Sequence, residues 1–377
     1  MAMSLSRLTS AAIFIALLAG RAHALEQPAN DAGPAGYRQE LTAVADGVWV
    51  LAQPRFLVQP AGNVTIVEQA DGVVLVDAGG SPGAARRLVA EIRRLTPKPV
   101  KAVIITHWHG DHPQGLEVIL SAWPQARTIS TAATRAHLSD PKTMNTPGAP
   151  DAKADADLRE RTDGFAAYCL DMAAKAKTLE EKAGWEESAA LFGAYADDMA
   201  GAVTIAPAEG FIDRLVIPDS ERPVEVRFLG RANTDGDAVA WLPRQGVLVA
   251  GDVVVAPIPF GFGSYPGDWL QVLRQVRDLS FRVLVPGHGP PQRDRAYIDR
   301  LAAAIEDIRA QVAPLAAEGL SLEDARRRLD LSAQTHSFAG DDPWLRRWFE
   351  AYWITPIVAS AYREARGEPI AQSLKGE

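Results

Sequence analysis

The chain has 377 residues, of which 47% are hydrophobic and 23% charged, and a formal charge of −8. That is the composition of a soluble globular protein, long enough for one large domain or two. An acidic balance without Lys/Arg blocks argues against nucleic acid and against an anionic membrane surface as partners.

Residues 1–10 carry one arginine and no acid, residues 11–20 (AAIFIALLAG) are apolar, and Ala22-His23-Ala24 follows. This order reads as a secretory signal peptide, residues 1–24, cleaved after about Ala24, with export to the periplasm. The apolar run is far shorter than the ~20 residues of a spanning helix, so no stable membrane anchor is expected. Cys169 is the single cysteine, which leaves an exported chain without an internal disulfide. Its helical spacing from Phe165 and Met172 reads as buried packing.

Residues 25–40 read as a loose N-terminus. Runs rich in β-branched residues at 47–53, 63–69 and 72–80 read as strands, the last two joined by an Ala-Asp-Gly turn. An amphipathic helix over about 81–95 is stopped by Pro97 and Pro99. Residues 100–106 form a continuous apolar run, as in a strand covered on both faces. The segment THWHGDH (106–112) begins where that run stops. Residues 151–202 are rich in Ala, Glu and Lys and keep apolar residues at helical spacing, so two or more helices are expected there. Strands resume at 211–217, 224–230, 237–243 and 246–252, the last two as a hairpin through Arg-Gln-Gly, and a final strand covers 281–289. Beyond Asp294 the chain is helical, with an apolar stripe from Leu301 to Leu315. Residues 344–353 read as a helix packing its aromatics on the body. No repeat or low-complexity tract is present.

Residues of ligand type recur just past these strands: His107, Asn233, Asp252 and His288. Their recurrence points to one site at one sheet edge, where loops carry chemistry on a rigid scaffold. In an extended segment alternate residues share a face, so His107 and His109 can grip one metal while Gly110 lets Asp111 and His112 turn to a second.

The ordered motifs LVDAGG, THWHGDH, a G-x-x-x-T turn, Gly251-Asp252 and PGHGP closely resemble those of the metallo-β-lactamase-fold superfamily of hydrolases. The likeness runs from about Leu41 to Pro291. It implies an α/β four-layer αββα sandwich over 41–291, with a helical insertion at about 151–202 and a helical extension over 292–377. It also implies a dinuclear, usually zinc, centre. By position, His107 and His109 would belong to site one, Asp111, His112 and His288 to site two, and Asp252 would bridge them. Asp77 would be structural or support the ligands.

One departure stands out. The turn Gly-Arg-Ala-Asn-Thr puts Asn233 where the family has the third histidine of site one. A neutral amide is a weaker ligand for zinc than an imidazole. Three states therefore compete: a dinuclear enzyme with a weakened first site, a mononuclear enzyme using site two, and a metal-poor binding protein. Beyond the expected signal peptide, His137 and His336 are the imidazoles left to replace the missing one, and neither has a spacing that predicts it.

Such a centre makes hydroxide from bound water and polarises a substrate oxygen. The reading is an exported hydrolase attacking an ester, thioester, lactone or related bond of a small molecule, with Asp111 as ligand and proton acceptor. Zinc is the expected metal, one or two ions, with iron or manganese as alternatives. An amide hydrolase of β-lactamase type is the next reading, although the bridging Asp252 counts against it, and a non-haem iron oxidoreductase is a further one. Trp108, Phe260 and Tyr265 are candidate substrate contacts, the last two on the aromatic, Gly- and Pro-rich loop 256–269. The 151–202 helices either cap the site or mediate oligomer contacts, and the sequence carries no sign of which oligomer.

Overall fold

The structure is a computed structural model and describes residues 39–53, 56–57, 61–143 and 148–370. The expected signal peptide, residues 1–24, and nearly all of the expected loose N-terminus lie outside the described residues. Among those described, no helix is long and apolar enough to cross a membrane.

Strands β1 (Glu40–Ala45), β2 (Val48–Ala52), β3 (Val64–Glu68) and β4 (Val73–Val76) form an antiparallel meander. β5 (Val100–Ile104), β6 (Arg127–Thr131) and β7 (Glu209–Phe211) extend it in parallel, so the first sheet runs β1 to β7 in chain order. A second sheet holds β8 (Arg214–Ile217), β9 (Val224–Phe228), β10 (Ala238–Leu242), β11 (Val247–Val255) and β12 (Val283–His288), antiparallel except for the last pair.

The period of two in these strands assigns the layers. Val74, Val76, Ala102 and Ile104 of the first sheet meet Ala240, Leu242, Val247 and Val249 of the second in the central core. Their alternates Leu75, Val103 and Ile105 face outward, onto α1 (Pro82–Leu95) and α2 (Leu116–Ala122) through Leu88, Ile92, Leu116 and Ile119. α3 (Ala132–Ser139) follows β6, and α4 (Ala152–Lys175) and α5 (Leu179–Met199) form the predicted helical insertion. On the other side Trp241, Leu248 and Leu284 face α6 (Pro266–Asp278) and α7 (Ala296–Ala317). α8 (Leu322–Arg326), α9 (Ser332–Ala339), α10 (Pro343–Phe349), a π-helical turn (Glu350–Ile354) and α11 (Thr355–Ala365) complete that layer. The chain is thus an αββα sandwich with a helical C-terminal part, each sheet burying both faces.

Local chemistry explains the boundaries. Ser81 caps α1 by accepting from the Ala84 amide, Pro82 opens the helix, and Arg93 and Arg94 sit in its last turn. The insertion is clamped on two sides. Arg86 of α1 pairs with Asp198 of α5 at 3.0 Å, and the buried Trp185 of α5 packs edge-on to Trp344 and Trp348. Cys169 is buried in the same apolar layer.

Four sequence expectations change. Residues 211–217 are not one strand: β7 ends the first sheet at Phe211, β8 starts the second at Arg214, and the chain changes sheets through an exposed Ile212. An apolar run predicts strand, but not which sheet each half joins. The strand at 246–252 continues to Val255 past a bulge at Gly251. The loop 256–269 ends inside α6, which Pro266 opens and which buries Trp269, Leu270, Val272, Leu273 and Val276. The single helix expected over 344–353 is α10 followed by the π-helical turn.

Candidate metal centre

The centre is built where the two sheets meet. β4 delivers Asp77 and β5 delivers the segment 106–112, while the second sheet delivers Asn233, Asp252 and His288. Asp77 has a left-handed backbone, φ 68°, unusual outside glycine. That conformation turns its carboxylate back, where Oδ1 accepts from the Thr106 amide at 2.8 Å and Oδ2 faces His112 Nδ1 at 2.8 Å. Strain of this kind concentrates at functional sites. The His112 amide donates to the His109 carbonyl at 3.1 Å and the Ala78 amide to the His112 carbonyl at 2.9 Å, so the turn that Gly110 permits is fixed at both ends.

Across the cleft the Gly251 bulge, with φ 52°, re-aims the strand so that Asp252 points into the centre. A Cβ on Gly251 would come within 2.9 Å of Thr106, and one on Gly287 within 1.9 Å of Asp252 Oδ1. Gly251 is required by the close approach of the two sheets, and Gly287 by the Asp252 side chain of the neighbouring strand.

The two oxygens of Asp252 serve different imidazoles. Oδ2 stands 3.4 Å from His107 Nε2, and that nitrogen is 3.1 Å from His109 Nδ1. Oδ1 stands 3.3 Å from His112 Nε2 and 3.6 Å from His288 Nε2. Asp111 Oδ2 closes the second group, 3.0 Å from His288 Nε2 and 3.5 Å from His112 Nε2. His107, His112, Asp252 and His288 are buried, while Asp111 is partly open.

The charges interlock. Burial would raise the Asp111 carboxyl, yet His112 and the His288 hydrogen bond hold it below its usual range. Burial likewise works against ionised Asp252, and His107, His288 and His112 overcome it. For His112 burial favours the neutral ring, but Asp111, Asp77 and Asp252 hold its proton well above the usual pH. His109 is pushed down to about 3, first by burial and then by His107, and so is neutral near pH 7.

A cation fits these donors. Ligand atoms around a tetrahedral zinc with bonds of about 2.0–2.1 Å stand roughly 3.3 Å apart, and the contacts above run from 3.0 to 3.6 Å. Lone pairs of ring nitrogens converge at 3.1 and 3.4 Å in the His107/His109 and His112/His288 pairs, an arrangement that a proton or metal ion relieves. Asp252 Oδ1 and Asn233 Oδ1 are buried without hydrogen-bond partners among the described residues. Two overlapping groups have ligand atoms within 4.8 Å of one another: His107, His112 and Asp252, and Asp111, His112 and His288.

Asn233 does lie at the centre, fully buried, with Nδ2 3.4 Å from Asp252 Oδ2. Neither spare histidine takes its place: His137 Nε2 bonds both oxygens of Asp235, and His336 is exposed on α9. The three candidate substrate contacts separate. Trp108 is 2% exposed and packs in the core beneath the first sheet, because the alternation that pairs His107 with His109 turns the residue between them away. Tyr265 lies under the Arg231 guanidinium at 4.3 Å and lines a cavity of about 580 Å³ bounded by Arg231, Asp268, Arg309 and Glu364, none of them a candidate ligand. Phe260 alone stands at the centre, its ring 5.1 Å from that of His288. Sequence reading missed Tyr352, whose ring lies 5.3 Å from Phe260 and comes from the C-terminal part. Nothing in the spacing of residues 344–353 connects it to motifs so far upstream.

Residues 58–288 match the family described as the metallo-beta-lactamase superfamily. The chain is 24% identical over 308 residues to a linear primary-alkylsulfatase from Pseudomonas sp., covering 75% of this chain and 52% of that protein. A solved stereoselective inverting sec-alkylsulfatase, also from Pseudomonas sp., superposes with a TM-score of 0.57 at 14% identity, over 89% of this chain and 51% of that one. The chain thus spans about half the length of each of these relatives. With the match covering more than half of its residues, the chain belongs to the metallo-beta-lactamase superfamily.

Proposed function

We propose that the protein is a metal-dependent hydrolase that cleaves an ester-type bond of a small molecule: a carboxylic ester, thioester, lactone or, as the names of its relatives suggest, a sulfate ester. The observation that carries this reading is Asp252, whose two oxygens face separate imidazole groups 3.3–3.6 Å away. His107 and His109 would hold one zinc ion with Asp252 Oδ2. His112, His288 and Asp111 would hold another with Asp252 Oδ1. Bound zinc lowers the pKa of a coordinated water to about 7 and polarises an ester oxygen. Asp111, the partly open carboxylate of the set, would accept the proton released at the centre.

A mononuclear version has its own support. As placed, Asn233 turns its amide nitrogen toward Asp252 Oδ2 and acts as a donor to that carboxylate, which leaves the first group with two imidazoles and one oxygen. Export through residues 1–24 and a catalytic body over 41–291 complete the proposal. Finding the mature N-terminus at Leu25 by terminal sequencing would support the first.

Metal analysis of the purified protein beside Asn233→His, Asp111→Ala and His288→Ala decides the stoichiometry. Two zinc per chain in the wild type supports the dinuclear centre. A single ion lost in Asp111→Ala and His288→Ala supports the mononuclear one. Metal-replete protein that turns over none of a panel of carboxylic esters, thioesters, lactones, sulfate esters and β-lactams would sink the hydrolase reading.

A further inference from the structure

Segments that supply no candidate ligand meet beside His288. The Phe260 side chain, on the loop after β11, is 5% exposed and lies against the His288 ring. Phe262 follows on the same loop, 6.0 Å from Phe260, and is 39% exposed. Tyr352 arrives from the π-helical turn and packs at 5.3 Å from both rings. Phe56, from the segment after β2, closes the group at 6.4 Å from Phe260 and 6.2 Å from Tyr352.

The placement of Tyr352 is written into the sequence. Pro356 stands four residues further on and has no N–H, so an α-helical bond to the Tyr352 carbonyl cannot form. The helix widens into a π turn there, and the freed carbonyl accepts instead from the Gly261 amide at 2.8 Å. Gly261 has no side chain, and a Cβ there would stand 3.0 Å from Ile357 Cβ. The loop backbone can therefore lie directly on the C-terminal helix. One hydrogen bond thus locks Phe260, between Gly261 and the site, and Phe262, on its outer side, to Tyr352. Phe262 thus presents a large, partly open apolar ring on the outer side of a cluster whose inner member, Phe260, lies against His288.

We propose that Phe262 and Tyr352, backed by Phe260, form an apolar wall that receives a hydrocarbon group of the substrate next to the bond cleaved at the metal centre, making these two residues determinants of specificity. The proposal rests on the hydrolase reading for the identity of the bond, and on the rings alone for the hydrocarbon group. Its test uses the zinc-loaded full chain and n-hexyl, n-octyl and n-decyl sulfonate, which lack an ester oxygen, with binding measured by calorimetry. In the wild type, affinity is expected to rise by about two- to fourfold per methylene, the upper value being that of a fully buried CH₂. Phe262→Ala and Tyr352→Ala flatten this slope while zinc content stays unchanged, and Tyr352→Phe, which keeps the ring, retains it. Equal slopes in the wild type and Phe262→Ala overturn the proposal, as does wild-type binding without chain-length dependence or a uniform loss that leaves the slope intact. Graded sulfonate binding without turnover of the ester panel would remove the hydrolase reading alone, and turnover without graded binding would remove the wall alone.

Discussion

The two ring nitrogens of His112 have different tasks, and Asp77 decides which does which. Its carboxylate stands 2.8 Å from Nδ1, which keeps the proton there and leaves Nε2 to face Asp111, Asp252 and His288. Thr106 holds the same carboxylate through both its amide and its hydroxyl. A carboxylate behind a ligand histidine fixes its tautomer and raises its basicity. Asp77→Asn keeps the shape, loses the charge and can present its amide to Nδ1 as a competing donor. Zinc affinity, measured by competition with a chromophoric chelator, is expected to fall about 10- to 100-fold, while the fold survives by circular dichroism. Unchanged affinity would show that Asp77 serves the backbone turn alone. The candidate ligands themselves were legible, because His and Asp side chains seldom gather just past apolar strands unless they share a site. The tie from Asp77 to His112 was not, since it depends on β4 and β5 lying side by side with the left-handed turn at Asp77 between them.

Strands and the helical insertion were readable as elements, because periods of 2 and 3.6 are properties of the sequence itself. What each element touches is not periodic and stayed hidden. Residues 211–217 look like one run, yet Phe211 faces the central core from the first sheet and Ile217 from the second. The Gly251-Asp252 pair stood out in sequence, but the bulge that aims the aspartate appears only in the register against β12. The same holds for α5, whose contacts give the insertion a fixed place. A Cβ on Gly184 would lie 2.8 Å from the Trp344 ring and one on Gly83 would lie 2.5 Å from Asp198, so α5 approaches both α10 and α1 through glycines. Gly184→Val forces Trp344 away, and overpacking of this kind costs about 1–3 kcal/mol. The gain in helix propensity over glycine offsets only a few tenths of a kcal/mol of that cost. Urea denaturation should show the loss, and zinc content should be unaffected, because α5 donates no ligand. A variant as stable as the wild type would mean that the insertion is loosely held.

At the scale of the whole molecule, the centre joins two sheets that meet mainly through apolar side chains. His107, His109, Asp111 and His112 follow β5 of the first sheet, whereas Asp252 and His288 belong to β11 and β12 of the second. A few hydrogen bonds cross the same gap: Asn63 Nδ2 donates to the carbonyls of Pro286 and Gly289 at 2.9 and 2.8 Å, and the Ala238 amide to the Thr106 carbonyl at 2.8 Å. These bonds and the central core hold the sheets together without the help of a metal ion, while carboxylates and converging imidazoles are buried together between them. A metal ion relieves that cost only in the native state, so it stabilises by mass action, by about 4 kcal/mol when free metal is a thousandfold above its Kd. For a chain of this size that corresponds to a shift in Tm on the order of 5 °C. Scanning calorimetry before and after chelation, and again after zinc is restored, should show a fall of that order and its reversal. Because the candidate ligands come from both sheets, the transition should move as one, and His288→Ala, which removes one of the two candidate ligands of the second sheet, should reduce the difference. A midpoint indifferent to chelation in protein shown to contain zinc would mean that the ion sits elsewhere.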